Sequence, residues 1–364
     1  MGNLKIEIAQ SLFQENKYQE TIDTCNEILA TDNESIEAFK LLAKSFLATR
    51  KIDESRLYFD KALTLKPDDY EVIKDLGNTY QAVGDVNAAK NYYQKALTIN
   101  SNYAPALTNL GILELNTGNK QKALSLLIKA TESDPQLASA WGNLAHGYVQ
   151  LGKSQEAEIV CREYVNIHPN LFNSHFLLGK ILIGQKKLQE AEQPIRKTIE
   201  LKPDFFQAHL SLGALLKNLG KLQEAEASLR KAIDFNPNLF NSHFLLASTL
   251  IGQKKLQEAE ASLRKTIELK PDFFQAHLNL GALLKDLGKL QEAKAFLLKT
   301  IELKPDYPEA YSNLGIILKD LGQLQEAEIS TRRAIKLNPN FAKAHSNLGR
   351  ILSDLGQLKK AELS

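Results

Sequence analysis

Cysteine is nearly absent: Cys25 and Cys161 are the only two in 364 residues. They lie far apart at the same phase of a repeating pattern, which argues against a disulfide framework or a shared metal. Both read as buried thiols of a reducing compartment. An excess of one charge is also lacking. Forty-five basic residues nearly cancel forty-three acidic ones, for a formal net charge of +2. The usual electrostatic case for nucleic acid or anionic membrane as the main partner is therefore missing. No long apolar run exists. The longest, Phe244 to Ile251, is interrupted by Ser248 and Thr249 and falls short of the roughly 20 residues a spanning helix needs. The start, Met1-Gly2-Asn3-Leu4-Lys5-Ile6, has no apolar signal-peptide core, and Ile6 stands where a myristoylation signal requires Ser or Thr. These absences predict a soluble, cytoplasmic chain without nucleic acid or membrane as its partner. At 43% hydrophobic and 24% charged residues, the chain is nonetheless apolar enough to fold.

What is present is periodic. Prolines fall at 67, 135, 169, 203, 237, 271, 305 and 339, spaced by 34 or twice 34, with Ser101 in the one gap. Counting this proline as position 32, units begin near residues 2, 36, 70, 104, 138, 172, 206, 240, 274, 308 and 342, the last incomplete. Within a unit, apolar residues recur at helical spacing in two runs, as in Ala208 to Leu219 and Leu222 to Phe235. Each unit thus reads as a helical hairpin. Glycines such as Gly220 and Gly288 end the first helix. The proline ends the second, and Asp204, Asn238, Asp272 and Asn340 after it are expected to cap the next. Small residues at position 8 (Gly213, Gly281) and position 20 (Ala225, Ala293) let the two helices approach, with leucine at position 7 in the seam.

This pattern of large, Leu, Gly, large, Ala, large, Ala, Pro resembles the tetratricopeptide repeat family over almost the whole chain. The resemblance implies an all-α fold: a right-handed superhelix, or α-solenoid, of about eleven hairpins across residues 1–364. Departures are local. Lys186 and Lys254 replace the turn glycine, Asn33 and Ser101 replace the proline, and Pro194 sits inside a second helix, where it is expected to bend or shorten it. Residues 170–237 and 238–305 agree at all but about 15 of 68 positions, which marks a two-unit duplication.

In this family the first helices line a concave face that holds extended peptides, and the resemblance implies the same here. Positions 2, 6, 9 and 13 form one stripe on the first helix, opposite the Leu-Gly seam. Position 6 carries Asn109, Asn143, Asn279, Asn313 and Asn347, with Asp75 and Ser211 as polar variants. A carboxamide offers both a donor and an acceptor, so a row of them can pair with a peptide backbone whatever its side chains. The row is similar to the asparagine ladder in the repeat region of O-GlcNAc transferase. The alternative is that these amides solvate a helix face or hydrogen-bond between units. The duplicated region adds Asn173, Gln207, Asn241 and Gln275 at position 2, beside Phe176, Leu210, Phe244 and Leu278 at position 5. The apolar row either faces an extended hydrophobic peptide or packs on the neighbouring unit. Toward the C-terminus, Lys285, Lys319, Asp286, Asp320 and Asp354 change the character of the stripe.

Two catalytic or metal readings fail on geometry. His175, His209, His243, His277 and His345 share position 4. Helices about 8–10 Å apart cannot bring two imidazoles onto one zinc at roughly 2.1 Å. Gly147 to Ser154 matches the phosphate-loop pattern, but Gly147 falls within a predicted helix rather than after a strand. No cofactor and no catalysis are expected. The chain reads as a scaffold binding a protein or peptide ligand. The alternative is the substrate-recruiting part of a larger glycosyltransferase, methyltransferase or sulfotransferase. Ser364 is only the twenty-third position of its unit, so an uncapped C-terminal end, a following domain, or self-association through that end is also expected.

Overall fold

The computed structural model describes residues 2–356. Among these it contains twenty-one α-helices and no strand, an all-α solenoid of hairpins. The first ten helices are α1 (Gly2–Gln14), α2 (Tyr18–Thr31), α3 (Ile36–Ala48), α4 (Ile52–Leu65), α5 (Tyr70–Ala82), α6 (Val86–Ile99), α7 (Ala104–Asn116), α8 (Lys120–Ser133), α9 (Ala138–Gln150) and α10 (Ser154–Ile167). They are followed by α11 (Phe172–Gly184), α12 (Leu188–Leu201), α13 (Phe206–Asn218), α14 (Leu222–Phe235), α15 (Phe240–Gly252), α16 (Leu256–Leu269), α17 (Phe274–Asp286), α18 (Leu290–Leu303), α19 (Pro308–Asp320), α20 (Leu324–Leu337) and α21 (Ala342–Asp354). Odd-numbered helices lead each hairpin and even-numbered ones trail. The chain divides into two compact units, Met1–Ile181 and Leu182–Ser364, the division falling within α11.

Within each unit the packing rule is the same. A leading helix pairs with its own trailing helix, and that trailing helix packs on the next leading helix, as in α13 with α14 and α14 with α15. The close approach is set by small residues. A Cβ at Gly213 would sit 2.5 Å from Leu229 Cγ, inside van der Waals contact, so a hydrogen at that position lets α14 lie against α13. Ala225, Ala259, Ala293 and Ala327 are fully buried on the facing side. Leu212, Leu246, Leu280 and Leu314 fill the seam, each contributing about 2 kcal/mol of apolar burial. Cys25 and Cys161 face the same seam, both fully buried, and burial pushes each thiol up to about 12.

The turns repeat a left-handed residue. Gly220 and Gly288 adopt φ of 78° and 75°. Lys186 and Lys254 hold the same conformation at 62° and 63° despite their side chains. Each costs about 1 kcal/mol relative to glycine there.

Two local expectations are corrected. Asp204, Asn238, Asp272 and Asn340 are turn residues, not caps. The cap positions fall one residue later, on Phe205, Leu239, Phe273 and Phe341, none of which makes a side-chain cap bond. The cap position is given to packing instead: Phe273 lies 4.9 Å from Phe244 and 5.2 Å from Phe240, ring centre to ring centre. A side-chain cap does form at Asp69, which accepts from the amides of Glu71 and Val72. Pro194 does not shorten its helix. α12 runs the same 14 residues as α14 and α16, because Ala191, Pro194, Ile195 and Thr198 are all buried and tertiary packing outweighs the missing amide. The truncated last helix and its uncapped end lie outside the described residues.

Glu114 breaks the repeat from inside. It occupies a position held by Leu216, Leu250 and Leu284 elsewhere, and its side chain is fully buried between Lys90 at 2.5 Å and Lys122 at 2.7 Å. Asn119 donates to it at 2.7 Å. Burial alone would raise the carboxyl; Lys122, Lys90 and Asn119 together outweigh burial and hold it at about 2.

The pH consequence follows from that depressed value. The stabilisation by Glu114 is complete above its ordinary value of 4.5 and is lost as pH falls toward about 2. Thermal melts of Glu114→Leu between those limits are expected to show a flatter pH dependence than wild type, with no loss of stability at neutral pH. In the turns, Lys186→Gly and Lys254→Gly are each expected to stabilise by about 1 kcal/mol in urea titrations.

Candidate functional site

Leading helices touch successive leading helices: α1 with α3, α3 with α5 and α7 with α9 in the first unit, and α13 with α15, α17 with α19 and α19 with α21 in the second. Stripe positions on neighbouring hairpins therefore share a face. In the second unit Gln207, Ser211, Gln275, Asn279, Glu309 and Asn313 are half-buried, and Asn218, Asp286 and Asp320 at the far end of the stripe are exposed. The stripe is in contact with solvent and mostly polar, interrupted by Leu245 at position 6 and by Ala214, Ala282 and Ile316 at position 9.

The amides of position 6 differ in what they bind. Asn279 is half-buried. Asn313 Oδ1 accepts from Lys343 Nζ at 3.4 Å, and Asn143 Nδ2 donates to the Ser139 carbonyl at 2.7 Å. Asn109 Nδ2 reaches Asn78 Oδ1 on the preceding leading helix at 2.8 Å. Asn347 is buried and donates to Ser312 Oγ at 3.0 Å. These last two, like the contact of Asn313 with Lys343, join neighbouring hairpins. At position 2, Asn173 and Asn241 are exposed and Gln207 and Gln275 half-buried. Gln207 Oε1 and Glu309 Oε2, two acceptors of that row, have no hydrogen-bond partner among the described residues. At position 5, Leu210, Phe244 and Leu278 are half-buried and packed against the core that contains Leu246 and Leu280; Phe176 is half-buried as well. Lys319 bridges Asp320 at 3.6 Å and Asp354 at 3.4 Å across α19 and α21, and Lys285 pairs with Asp286 at 3.2 Å.

Sequence reasoning missed a polar cluster on α5. Asn78 donates to Asp75 Oδ1 at 3.1 Å, and the Tyr93 hydroxyl lies 2.8 Å from Asn78 Oδ1 and 2.6 Å from Gln81 Oε1. Asp75, only 4% exposed, also pairs with Lys44 and Lys74. Beside this cluster an open recess of about 960 Å³ is lined by Leu47, Ile52, Asn78, Gln81 and Asn109. The available signal was Tyr93, the one tyrosine at a position that carries Leu127, Leu229, Leu263 and Leu297 in other units.

The histidines act as clasps. His175, His209, His243, His277 and His345 each place Nε2 2.8–2.9 Å from the carbonyl of the proline six residues earlier. Trp141 Nε1 and the Tyr311 hydroxyl donate to Pro135 and Pro305 in the same way. A carbonyl accepts only, so Nε2 carries the proton, and in these seven hairpins position 4 is a ring that donates to the carbonyl ending the previous hairpin. In the phosphate-loop match, Gly147 is buried inside α9 and Gly152 is a turn residue at φ 71°. A helix, not a strand, precedes the turn. No described helix is long and apolar enough to cross a membrane.

The family model described as the cilia and flagella-associated protein 70 C-terminal domain, a tetratricopeptide-repeat model, matches residues 67–272, more than half of the chain. Tetratricopeptide repeat models also match residues 250–315, 308–341 and 331–362. The chain belongs to the tetratricopeptide repeat family. As a tetratricopeptide array it is a protein-interaction scaffold, in a family that binds protein or peptide partners. No curated protein matches it. Among solved structures it is similar to YrrB, titled a TPR protein with an unusual peptide-binding site, at 22% identity over 50% of this chain and 95% of that one, with a TM-score of 0.45. It is also similar to MamA from Desulfovibrio magneticus RS-1, at 21% identity over 46% of this chain and 95% of that one, TM-score 0.45. A second MamA structure is 23% identical over 46% and 97% of the two chains, TM-score 0.44.

The clasp has a direct test. His277→Ala removes a bond to Pro271 and leaves a void beside Phe296, 5.8 Å away. It is expected to cost about 2 kcal/mol in urea unfolding, whereas His277→Tyr, which copies Tyr311, retains most of that stability.

Proposed function

We propose that this tetratricopeptide array binds extended peptide segments of partner proteins along the polar stripe of its leading helices, by amide contacts to the peptide backbone. The observation that carries this reading is the partner state of the stripe in the second unit. Asn279 and Asn313 sit half-buried on one continuous face, and Gln207 and Glu309 hold acceptor oxygens without a partner among the described residues. Buried polar atoms are ordinarily paired. Backbone amides of an extended chain supply donors at regular spacing, with no demand on side-chain identity.

Side-chain preference enters where the stripe changes. Ala282 and Ile316 neighbour the amides, and the Lys319 rung with Asp320 and Asp354 brings charge to the end of the same face. A bound segment is thus read by its backbone over α17 and by charge over α19 and α21.

The test uses a peptide selected by the wild-type chain from a random library about 12 residues long. Asn279→Ala combined with Asn313→Ala is expected to weaken that peptide roughly tenfold, at about 0.5–1.5 kcal/mol per hydrogen bond lost. The melting temperature should stay within about 2 °C of wild type. Unchanged affinity in the double variant rejects the amide row as the binding element.

A further inference from the structure

The trailing helices of the second unit carry an ion-pair lattice that stops at one place. Arg196, Arg230 and Arg264 each pair with a glutamate on their own helix, Glu192, Glu226 and Glu260, and with one on the next trailing helix, Glu224, Glu258 and Glu292. Lys221, Lys255 and Lys289 reach back to the first set at 2.7–2.9 Å. These bonds, led by the one from each lysine, hold the Glu192, Glu226 and Glu260 carboxyls below the ordinary glutamate value. A second cation of each helix pairs three residues on, as in Lys197 with Glu200, Lys231 with Asp234, Lys265 with Glu268 and Lys299 with Glu302.

On α18 and α20 three replacements coincide. Leu298 takes the place of the lattice arginine, so Glu326, the counterpart of Glu224, Glu258 and Glu292, has no ion pair among the described residues. Lys336 takes the place of the acid that pairs with the second cation, so Arg333 has no carboxylate partner among them and rests 6.0 Å over the Tyr311 ring. Ile329 takes the place of Ala227, Ala261 and Ala295. Leu298 is 48% exposed and Ile329 70% exposed, beside an open recess of about 480 Å³ lined by Ile301, Tyr311, Leu314 and Leu318. The equivalent recess two hairpins earlier, about 330 Å³, is rimmed by Arg230, Ala261 and Lys265, and Arg230 and Lys265 are both ion-paired there, so what is particular to α18 and α20 is the apolar rim of Leu298 and Ile329.

Glu326, Ile329 and Arg333 lie on one face of α20, at spacings of three and four residues. That face runs anion, apolar, cation, with the isoleucine close to midway. Such a stripe is complementary to itself when turned end for end: Glu326 of one copy meets Arg333 of the other, and each Ile329 faces a recess. We infer that the α18–α20 surface is a two-fold contact between two copies of this chain, an isologous interface in which antiparallel α20 helices pair. The occupant is a second copy because one helix presents both halves of the charge match. The surface is separate from the leading-helix stripe, so a dimer leaves both stripes free.

Sedimentation velocity of the full chain from about 1 to about 200 μM is expected to show a monomer–dimer equilibrium. Leu298→Arg with Ile329→Ala installs residues that Arg264 and Ala295 already place at equivalent positions, so the variant should fold, and it should remain monomeric. Glu326→Arg alone and Arg333→Glu alone should each weaken dimerisation roughly tenfold by placing like charges opposite, and the two together should restore it. A wild-type chain monomeric throughout overturns the inference and leaves the recess to a different protein. A dimer unaffected by Leu298→Arg/Ile329→Ala, or one the double charge exchange fails to restore, overturns it equally.

Discussion

The contact on which the rest depends is the approach of each trailing helix to its leading helix at a glycine or alanine. At Gly213 there is no room for a Cβ beside Leu229, and Ala225 faces the same seam fully buried. That spacing brings the seam leucines into close packing. It also fixes which side of a leading helix is committed to its own hairpin and which side remains to face solvent. The stripe of Gln275, Asn279 and Asp286 is available because Leu280 and Gly281 use the opposite side.

The two kinds of helix then divide the chemistry. Leading helices contact one another directly, and their shared face carries amides, hydroxyls and a few ion pairs with apolar residues such as Leu245, Ala282 and Ile316 among them. Trailing helices of the second unit are tied by long side chains, Arg230 reaching Glu258 at 2.5 Å and Lys255 reaching Glu226 at 2.7 Å. These pairs are exposed and each is individually weak. As a network they cover apolar surface and give neighbouring hairpins a regular registry. Where the network stops, at Leu298, apolar surface is uncovered.

Most of the fold was legible in the sequence because the period is short and nearly every unit repeats it. The helix pair predicted over Ala208 to Leu219 and Leu222 to Phe235 appears as α13 and α14 with shifts of one or two residues. The caps were misread because Asp204 and Asn238 are good capping residues by type, whereas in the second unit the chain places two turn residues after Lys202, Asn236, Lys270 and Asn338 and gives the cap position to an aromatic or leucine. Pro194 leaves its helix at full length for a similar reason: local propensity yields to a buried face. The candidate stripe was legible as a helical face. Its internal bonds were not, since Asn109 meeting Asn78, or Asn347 meeting Ser312, depends on side-chain directions that spacing alone does not give. The clasp from His277 to Pro271 was hidden because position 4 varies: it holds His, Trp or Tyr in seven hairpins but Phe39, Ile73 and Leu107 in others, and only the first three carry a ring that donates.

The lattice also explains how this array could lengthen. A hairpin such as α14 with its leading helix carries, on its own surface, both the arginine that reaches forward and the glutamate and lysine that receive the preceding hairpin. Inserting another copy beside it creates a junction already matched on both sides. The near-identity of residues 170–237 and 238–305 fits such a history. A copy inserted between α12 and α16 therefore finds its ion-pair partners in place, whereas one spliced in after α18 would meet Leu298 and Lys294 where Arg264 and Glu260 stand one hairpin earlier.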